Sequence, residues 1–382
     1  MQYCNRCVMP DTKPGITIDE EGVCSACRSN ELKRKIDWAG RREELRKICD
    51  AVRGSNGKGY DCIVPVSGGK DSTYQVWMMK EIYRMNVLCV CLGTHLPTQE
   101  GIENLNAMVT NLRVDLLKIH LKQSVYRKIR RKCFVEIGEP NWAEHCAMFA
   151  SVTKIALLYR IPLIVWGEDI AVEFGGRTSN VQTPSAEEVM KNDLIKSRRI
   201  QDWLDETMTE RNVFFYHYPS QEELKKCGIR SIYLGYYDFW DGRAHLGLAE
   251  KYGFKPRREG PLSGNVIDYD NIDEKLCEIN IWMKYIKFGF WRPTDQCCYQ
   301  IWNGRMTREE AVKLVNEKQD EFPVEYFKDF LDYHQLTQDE FWSVVERFRN
   351  HDIWEKVNGR WRLKVPLTQI PASSQTQLEL VK

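Results

Sequence analysis

Long apolar runs and a surplus of one charge sign are both missing from this sequence. No stretch approaches the roughly 20 apolar residues of a membrane-spanning helix, and the first residues lack the charged and then apolar layout of a signal peptide. We therefore expect a cytoplasmic protein with no membrane contact. The 55 basic and 54 acidic side chains nearly cancel, so the electrostatic footprint of a dedicated nucleic-acid-binding protein is missing as well.

Internal repeats and low-complexity segments are also lacking, and what remains is an ordinary globular composition. With 382 residues, of which 43% are hydrophobic and 29% charged, the chain can bury a sizeable core and is not expected to be disordered over long stretches. It contains 14 cysteines. Because the cytosol is reducing, we expect thiols, metal ligands or catalytic groups rather than disulfides.

Four of the cysteines are organised. Cys4 and Cys7 form one C-x2-C pair, and Cys24 and Cys27 form a second. Each pair can place two thiolates on one tetrahedral ion, and four protein ligands close its coordination shell. The spacing predicts a structural zinc site, with an iron–sulfur cluster as the alternative. Since so short a segment has no core of its own, we expect metal binding to supply most of its folding free energy.

Short apolar runs alternate with helical patterns from residue 61 onward. Runs with strand character cover residues 61–66, 86–93, 114–120, 161–167 and 231–235. Helical patterns cover residues 30–52, 72–85, 98–112, 123–135, 143–159, 186–208 and 242–252. Buried strands separated by helices predict an α/β fold with a doubly wound parallel sheet.

The same pattern divides the chain into four parts. We expect a zinc-binding module in residues 1–35, the α/β domain in residues 36–255, a mostly helical C-terminal region in residues 256–365 and a polar tail in residues 366–382. Residues 272–348 in particular show helical periodicity without convincing strands.

A glycine-rich loop links the first apolar run to the helical pattern after it. It consists of Ser67, Gly68, Gly69, Lys70, Asp71 and Ser72. Glycine lets the backbone approach an anion, and the amides at the start of the following helix point toward it, so the segment predicts a phosphate cradle. Asp71 would repel a phosphate unless it meets a cation such as Mg²⁺ or is held against the helix dipole. The spacing differs from that of a Walker A loop.

This loop resembles the pyrophosphate-binding loop of the PP-loop ATP pyrophosphatases, which have a HUP-like α/β fold. The resemblance implies that ATP is cleaved between its α and β phosphates, that AMP is transferred to a substrate oxygen, and that a nitrogen or sulfur nucleophile displaces it. It also implies that Gly93 and Thr94 hold the adenine and ribose, and that Gly167, Glu168 and Asp169 lie near the α-phosphate and the acceptor. The alternative for the two acidic residues is a solvated helix cap.

Two subclasses of this superfamily compete. Several enzymes that thiolate tRNA also carry cysteine pairs, and this chain has a basic run, although such a run is more often a solvated helix face. The run comprises Lys122, Arg127, Lys128, Arg130, Arg131 and Lys132. Thiolation usually needs cysteines near the ATP loop, but Cys133, Cys146, Cys297 and Cys298 show no ligand spacing. A non-catalytic zinc-bearing scaffold is a third alternative, which the intact loop argues against.

The chain as far as about residue 320 resembles the N-acetyl sugar amidotransferases of bacterial surface-polysaccharide and nonulosonic-acid pathways. The resemblance rests on the opening cysteine segment and on motifs at residues 142–145, 166–169, 173–176, 234–237, 287–290, 294–295 and 304–311. It implies that an N-acetyl group of a sugar becomes an acetamidino group, after ATP has adenylated the amide oxygen and ammonia has displaced AMP. Trp291 and Pro293 depart from the family's small residues, which leaves the acceptor sugar open.

The same resemblance implies cofactors and partners. ATP, Mg²⁺ and structural Zn²⁺ are expected, with a small acetamido sugar rather than a nucleic acid as the acceptor. No Cys-His-Glu glutaminase segment can be read in the sequence. Ammonia is therefore expected from a separate glutaminase subunit and a cyclase-like ammonia-channelling subunit, which together resemble imidazole glycerol phosphate synthase.

Candidate site residues follow from their chemistry. The catalytic candidates are Lys70, Asp71, Glu144 and His145, and the substrate-binding candidates are Trp142, Glu173 and Arg177. Glu144 or His145 could accept a proton from attacking ammonia, and Trp142 offers a stacking face for a sugar. The alternative is a capped helix start with a satisfied histidine. Asp295 is a weaker candidate, and Arg305 and Arg308 fit a helix surface.

Overall fold

A five-stranded parallel sheet forms the centre of the protein. The structure is a computed structural model and describes residues 1–168, Glu173 and residues 198–368. The strands are β1 (Cys62–Pro65), β2 (Val87–Leu92), β3 (Asp115–Ile119), β4 (Leu163–Trp166) and β5 (Arg230–Tyr233). They pair in the order β3-β2-β1-β4-β5, each parallel to its neighbour. This confirms the predicted α/β class and the doubly wound sheet.

Helices connect and cover these strands. Before β4 they are α1 (Ser25–Lys33), α2 (Trp38–Val52), α3 (Lys70–Trp77), α4 (Gln99–Leu112), α5 (Gln123–Ile137) and α6 (Trp142–Tyr159). After β4 come α7 (Gln221–Lys226), α8 (Leu234–Tyr237) and α9 (Gly242–Lys251). A π-helical turn, Met78–Ile82, extends α3.

Two helix predictions need correction. The pattern over residues 30–52 is divided in two, because the Asp37 carboxylate accepts a hydrogen bond from the Gly40 amide at 3.0 Å and starts α2 there. Of the helix predicted over residues 186–208, the part from 186 to 197 lies outside the described residues. The remainder contains a short 3₁₀ turn, Ile200–Trp203, in place of an α-helix.

The strand order opens a crevice between β1 and β4. The chain runs from β1 outward to β2 and β3 and then returns to β4 on the other side of β1. At such a reversal the loops that follow the two central strands diverge, and α/β proteins bind ligands there. Apolar layers hold the sheet on both faces: Ile63 and Ile164 belong to one core, whereas Val64 and Val165 belong to the other.

The C-terminal region is mostly helical, as predicted, but ends in a hairpin that the sequence analysis missed. Its helices are α10 (Cys277–Phe288), α11 (Arg292–Trp302), α12 (Arg308–Lys318), α13 (Phe327–His334) and α14 (Gln338–Phe348). Strands β6 (Trp354–Val357) and β7 (Arg360–Leu363) then pair antiparallel. Asn358 and Gly359 form the turn between them with φ of 48° and 80°, as Asn-Gly sequences favour.

The four-cysteine segment shares a core with the C-terminal helices. Val8, Met9 and Val23 pack in one buried cluster with Phe290 and Trp302. The segment therefore has apolar support beyond a metal, which the sequence analysis did not foresee. Leu367, in the predicted polar tail, is buried in the same cluster, and residues 369–382 lie outside the described part. The division of the chain at residues 35, 255 and 365 stays a prediction. Within the described ranges, no helix is long and apolar enough to cross a membrane.

Candidate active site

A cavity of about 680 Å³ lies at the carboxyl ends of the sheet strands. Its wall combines loops after β1, β2 and β4 with the start of α6 and with residues from the C-terminal region. Twelve of the predicted site residues line it together: Ser67, Gly68, Gly69, Lys70, Asp71, Ser72, Gly93, Thr94, Glu144, His145, Gly167 and Glu168. Their functional roles stay predictions, but all twelve residues lie around the same cavity.

Gly68 gives the glycine-rich loop its shape. Its φ is 90°, a conformation that side chains rarely adopt, and a Cβ here would lie 2.7 Å from the Leu105 backbone. The turn leads directly into α3, whose N-cap is Gly69. The hydroxyl groups of Ser72 and Thr73 each donate to the Gly69 carbonyl oxygen at 3.0 Å. The amides of the first turn of α3 therefore begin at the cavity, as a phosphate cradle requires.

Lys70 and Asp71 belong to a partly buried charge cluster. Lys70 Nζ lies 2.9 Å from Asp71 Oδ2 and also pairs with Asp270. Asp71 Oδ1 lies 2.7 Å from Nδ1 of His245. Burial opposes the ionisation of Asp71, but Lys70 and His245 outweigh it and hold the pKa of this carboxyl well below its usual range. Asp71 is therefore a carboxylate, and His245 donates its Nδ1 proton to it.

His245 and Asp270 were not predicted. His245 lies 174 residues from Asp71 in sequence and Asp270 lies 200 residues from Lys70, and neither stands in a local motif. The His245 ring is 1% exposed and stacks on Tyr74, with 3.9 Å between ring centroids. No sequence signal short of an alignment would connect these positions, because the His245 contact arises from the packing of α9 beside α3 and the Asp270 contact from a loop that follows α9.

Glu168 supplies a second carboxylate near the loop. Burial and the negative charge of Asp71 raise its pKa to about 7. Two carboxylates that repel one another in a buried site offer the hard oxygen ligands that Mg²⁺ prefers, and a bound divalent cation would relieve the repulsion. Asp71 and Glu168 therefore fit a Mg²⁺ site. Asp169 lies outside the described residues.

A second buried cluster surrounds Arg130. Its guanidinium donates to Glu144 Oε2 at 2.9 Å and to Asn141 Oδ1 at 2.7 Å, and Nη2 lies 3.9 Å from Glu274 Oε1. Thr94 Oγ1 donates to the other Glu274 oxygen at 3.2 Å. Burial and Glu144 raise the pKa of Glu274 to about 8 in spite of Arg130. The sequence analysis identified Glu144 but missed Glu274, which also lines the cavity.

His145, beside Glu144, also faces the cavity. Burial lowers the pKa of its imidazole. A neutral ring near pH 7 has an unprotonated nitrogen and can accept a proton. The site thus offers Glu144, held by Arg130, and His145 as adjacent groups for proton transfer.

Three predicted substrate-binding residues are not supported. Trp142 is 1% exposed and packs against Trp203 at 5.4 Å between ring centroids, so its face serves the core and not the cavity. Glu173 forms a buried ion pair with Lys33 at 2.5 Å. Arg177 lies outside the described residues. A sugar-stacking role of Trp142 gains no support from this burial and stays a prediction, since an aromatic residue at a helix start fits a core position equally well.

The basic run does not form an open track. Arg130 is fully buried, and Lys128 and Lys132 both pair with Asp205, at 2.9 and 2.5 Å. Arg131 lies 3.6 Å from Glu340. Several charges of the run are thus used in ion pairs between α5 and its neighbours, which neither interpretation, an RNA track or a solvated helix face, had foreseen.

The four predicted cysteine ligands lie together and are buried. Their sulfur atoms are all within 4.8 Å of one another, with 3.9 Å between Cys4 and Cys27 and 3.6 Å between Cys7 and Cys24. A tetrahedral ion with Zn–S bonds of about 2.3 Å needs sulfur atoms about 3.8 Å apart, so the site fits a closed structural metal centre. Trp302 Nε1 donates to Cys27 Sγ at 3.2 Å, a contact that orients this thiolate.

Other candidates of the C-terminal region have structural roles. Arg308 is half-buried at the start of α12, and its Nε donates to the carbonyl oxygens of Cys4 and Cys7 at 3.3 and 3.1 Å and so supports the cysteine site. Arg305 makes two hydrogen bonds of 2.9 Å with Asp241. Cys297 and Cys298 are fully buried in the core that the cysteine segment shares. Burial raises the pKa of Cys297 to about 12, as expected of an inert core thiol.

Comparison with known proteins finds a family that is similar to the C-terminal region of this chain. Residues 247–367 match the family model described as "LPS biosynthesis protein WbpG-like, C-terminal domain". This confirms the predicted resemblance to a surface-polysaccharide family over that part of the chain. An uncharacterized protein of Methanocaldococcus jannaschii is 31% identical over 115 residues, which are 30% of this chain and 41% of that protein. The chain thus matches about two fifths of the length of this relative.

Solved structures with partial similarity were also found. The NH3-dependent NAD synthetase of Campylobacter jejuni is 13% identical, with 48% of this chain and 99% of that one covered and a TM-score of 0.30. The U34-tRNA thiolase NcsA of Methanococcus maripaludis, solved with its 4Fe-4S cluster, is 13% identical, with 80% and 87% covered and a TM-score of 0.33. At these TM-scores the likeness carries no argument about function.

Proposed function

We propose that this chain is an ATP-dependent, AMP-forming amidotransferase that converts an N-acetyl group of a bacterial surface-polysaccharide sugar into an acetamidino group. The observation that carries the proposal is the cavity itself, which the glycine-rich loop with Lys70 and Asp71 lines together with the half-buried Glu144 and His145. The similarity of residues 247–367 to an LPS biosynthesis protein supports the class of acceptor.

ATP would bind with its phosphates at the glycine-rich loop. The amides of α3 and the Lys70 ammonium offset phosphate charge, and Asp71 and Glu168 would hold Mg²⁺, which neutralises the developing charge on the pyrophosphate. Adenine and ribose are expected beside Gly93 and Thr94, at the end of β2. Gly93 lies so close to His120 that a Cβ would come within 2.7 Å of its ring, so the wall there is tightly packed.

The reaction would proceed in two steps. The amide oxygen of the N-acetyl group attacks the α-phosphorus, an O–P bond forms, and the bond to the β-phosphate oxygen breaks with release of pyrophosphate. Ammonia then adds to the activated carbon, and AMP leaves with the former amide oxygen. Glu144 or His145 takes the proton that the nitrogen loses, which leaves the amidine on the sugar. Positioning and electrostatic stabilisation supply most of the rate enhancement in such a site.

Ammonia would come from partner subunits. At neutral pH free ammonia is mostly ammonium and a poor nucleophile, so a glutaminase and an ammonia-conducting, cyclase-like subunit are proposed partners. We expect the isolated chain to use ammonium salts but not glutamine. Glutamine-dependent turnover by the chain alone would contradict this part of the proposal.

Thiolation of tRNA is the alternative that the site disfavours. Two cysteines that the sequence analysis overlooked, Cys91 and Cys277, line the cavity. Burial raises the pKa of Cys91 to about 11 and that of Cys277 well above its usual value, so both are protonated and weakly nucleophilic near pH 7. The ion pairs of Lys128 and Lys132 also leave less free positive charge for RNA.

Release of AMP and pyrophosphate from ATP tests the proposal. The purified chain would be incubated with Mg²⁺-ATP and ammonium chloride, together with an acetamido sugar, with tRNA or with no acceptor. Release that depends on the acetamido sugar, with an amidine product in the mass spectrum, is the expected result. Release only with tRNA would favour thiolation, and no release with any acceptor would favour a non-catalytic scaffold.

A further inference from the structure

Glu274 brings a buried carboxylate to the cavity wall. The residue is 4% exposed and lines the cavity. Its Oε2 accepts hydrogen bonds from the Thr94 hydroxyl and from the Leu276 amide, both at 3.2 Å. Oε1 is also buried but has no hydrogen-bond partner among the residues that the structure describes, and its ion pair with Arg130 Nη2 is long, at 3.9 Å. A ligand that donates a hydrogen bond to this oxygen would stabilise it.

Arg130 is shared between two carboxylates. Its short contact goes to Glu144, whose Oε2 lies 2.9 Å from Nη1, and the contact with Glu274 is the longer one. Asp273 also lines the cavity, and the negative charges of Glu144 and Asp273 both raise the pKa of Glu274. A cation bound at Glu274 Oε1 would relieve the repulsion among these carboxylates.

Two further cations in this part of the wall are paired elsewhere or exposed. Arg292, whose charge acts on Asp273, lies 3.3 Å from Glu278 Oε1. Lys118 is exposed and its chain passes beside Gly93. The wall as a whole carries seven carboxylates and six lysine or arginine side chains. A bound cation therefore does not add to an excess of positive charge.

The spacing of the acidic groups suits ammonium better than a divalent metal. Within the described ranges, the four cysteines are the one group of three or more metal-binding side chains whose ligand atoms all lie within 4.8 Å of one another. Glu144, Asp273 and Glu274 are thus too far apart to act together on one divalent metal, whose oxygen ligands lie about 2.0–2.6 Å from it. An ammonium ion donates hydrogen bonds of about 2.8 Å and fits a wider set of oxygens.

We propose that Glu274 and Glu144 form a binding site for ammonium, the form in which most free ammonia is present at neutral pH. The inference rests on the proposed function for the reaction that uses the nitrogen. One N–H bond of ammonium breaks, its proton passes to Glu274 Oε1, and the lone pair left on nitrogen forms the bond to the activated carbon. Glu144 or His145 then takes the proton that nitrogen loses as AMP leaves. A carboxyl with a pKa of about 8 holds the first proton more firmly than an ordinary one with a pKa of 4.5.

Thallium(I) tests the site without turnover, because it has nearly the radius of ammonium and scatters X-rays anomalously. Crystals of the full chain would be soaked in thallium(I) acetate at pH 8.5, above the pKa of Glu274. We expect an anomalous peak beside Glu274 Oε1 that ammonium acetate displaces at lower concentration than potassium acetate does. The lack of a peak there, or equal displacement by potassium, would overturn the proposal. Neither result depends on amidination, so failure of the proposed function would be seen separately.

A variant tests the role of the same carboxylate in solution. Glu274→Gln keeps the size of the side chain but removes its charge, so it should lose the thallium peak and raise KM for ammonium by about tenfold or more in the pyrophosphate assay. KM for Mg²⁺-ATP should stay within about twofold. Glu317→Gln, which changes an exposed carboxylate of α12, should alter neither property.

The same assay separates ammonium binding from nucleotide binding. A Glu274→Gln chain with a raised KM for Mg²⁺-ATP and an unchanged KM for ammonium would place the carboxylate beside the nucleotide and overturn the proposal. If melting curves show that Glu274→Gln does not fold, the thallium soak of the natural chain still decides between the outcomes.

Discussion

His245 Nδ1 lies 2.7 Å from Asp71 Oδ1, and this contact joins helix α9 to the glycine-rich loop. The other oxygen of Asp71 lies 2.9 Å from Lys70 Nζ, so the carboxylate is fixed from two sides. Tyr74 and Trp240 enclose the imidazole, with ring centroids 3.9 and 4.5 Å away. His245 therefore acts as a positioning residue that sets the direction in which Asp71 presents its charge.

Replacement of His245 by asparagine should slow pyrophosphate release by about ten- to hundredfold, because a hydrogen bond to a charged group contributes about 1.5–3 kcal/mol. The loss should appear in kcat, with little change in KM for the acetamido sugar, since His245 does not contact the acceptor in the proposed arrangement. His351→Asn, which changes an exposed histidine, is the control. If the two variants release pyrophosphate with equal kcat, His245 has no role in the reaction.

Gly68→Ala should abolish ATP binding and lower the free energy of unfolding. The substitution places a Cβ 2.7 Å from the backbone of Leu105 in a residue whose φ is 90°. Gly54→Ala is a matched control, because Gly54 also has a positive φ, 69°, but no atom lies within 4 Å of the added Cβ. Both variants incur about 1–2 kcal/mol of backbone strain, so the difference in their melting curves isolates the collision. Equal stability of the two would mean that the loop can move away from Leu105.

The affinity for Mg²⁺-ATP should rise with pH through about 7. The pKa of Glu168 is about 7 in the folded chain against an ordinary value of 4.5, and a cation requires the carboxylate form. Between these pH values the folded chain binds more protons than the unfolded one, so the free energy of unfolding falls as pH rises from 4.5 to 7. Glu168→Gln should weaken the pH dependence of the ATP affinity and that of the free energy of unfolding. ATP affinity would be measured at pH 6 and at pH 8 in both chains. An equal change in affinity in the natural chain and in Glu168→Gln would contradict the assignment.

Removal of the metal should destabilise the C-terminal helices as well as the cysteine segment, because the two share a core around Trp302. We expect one zinc ion per chain by elemental analysis and a lower melting temperature in Cys27→Ser. Cys227→Ser, which changes an exposed cysteine, should alter neither property. Iron in place of zinc would favour the alternative cluster, and an unchanged metal content in Cys27→Ser would exclude this ligand set.

Those parts of the fold whose signal lies within a few neighbouring residues could be predicted from the sequence. The buried strands, the loop from Ser67 to Ser72 and the paired cysteines each carry their signal within a few neighbouring residues. The Asn358-Gly359 turn carried such a signal too, and it was overlooked.

The rest of the site depends on contacts between distant segments. Asp270 and Glu274 line the cavity and His245 contacts Asp71 at its wall, and all three come from parts of the chain whose local patterns indicate only helix or loop. Trp142 presents the converse difficulty, since an aromatic side chain beside Glu144 and His145 fits both a sugar platform and the core. Burial and three-dimensional proximity decide these cases, and a single sequence contains neither.

The path of one oxygen atom tests the central claim most directly. An acetamido sugar with a heavy oxygen isotope in its acetyl carbonyl would be converted with Mg²⁺-ATP and ammonium, and AMP, pyrophosphate and sugar would be analysed by mass spectrometry. Adenylation of the amide oxygen predicts that the isotope is found in AMP and is lost from the sugar. AMP without the isotope, or ADP with labelled inorganic phosphate, would contradict the proposed reaction.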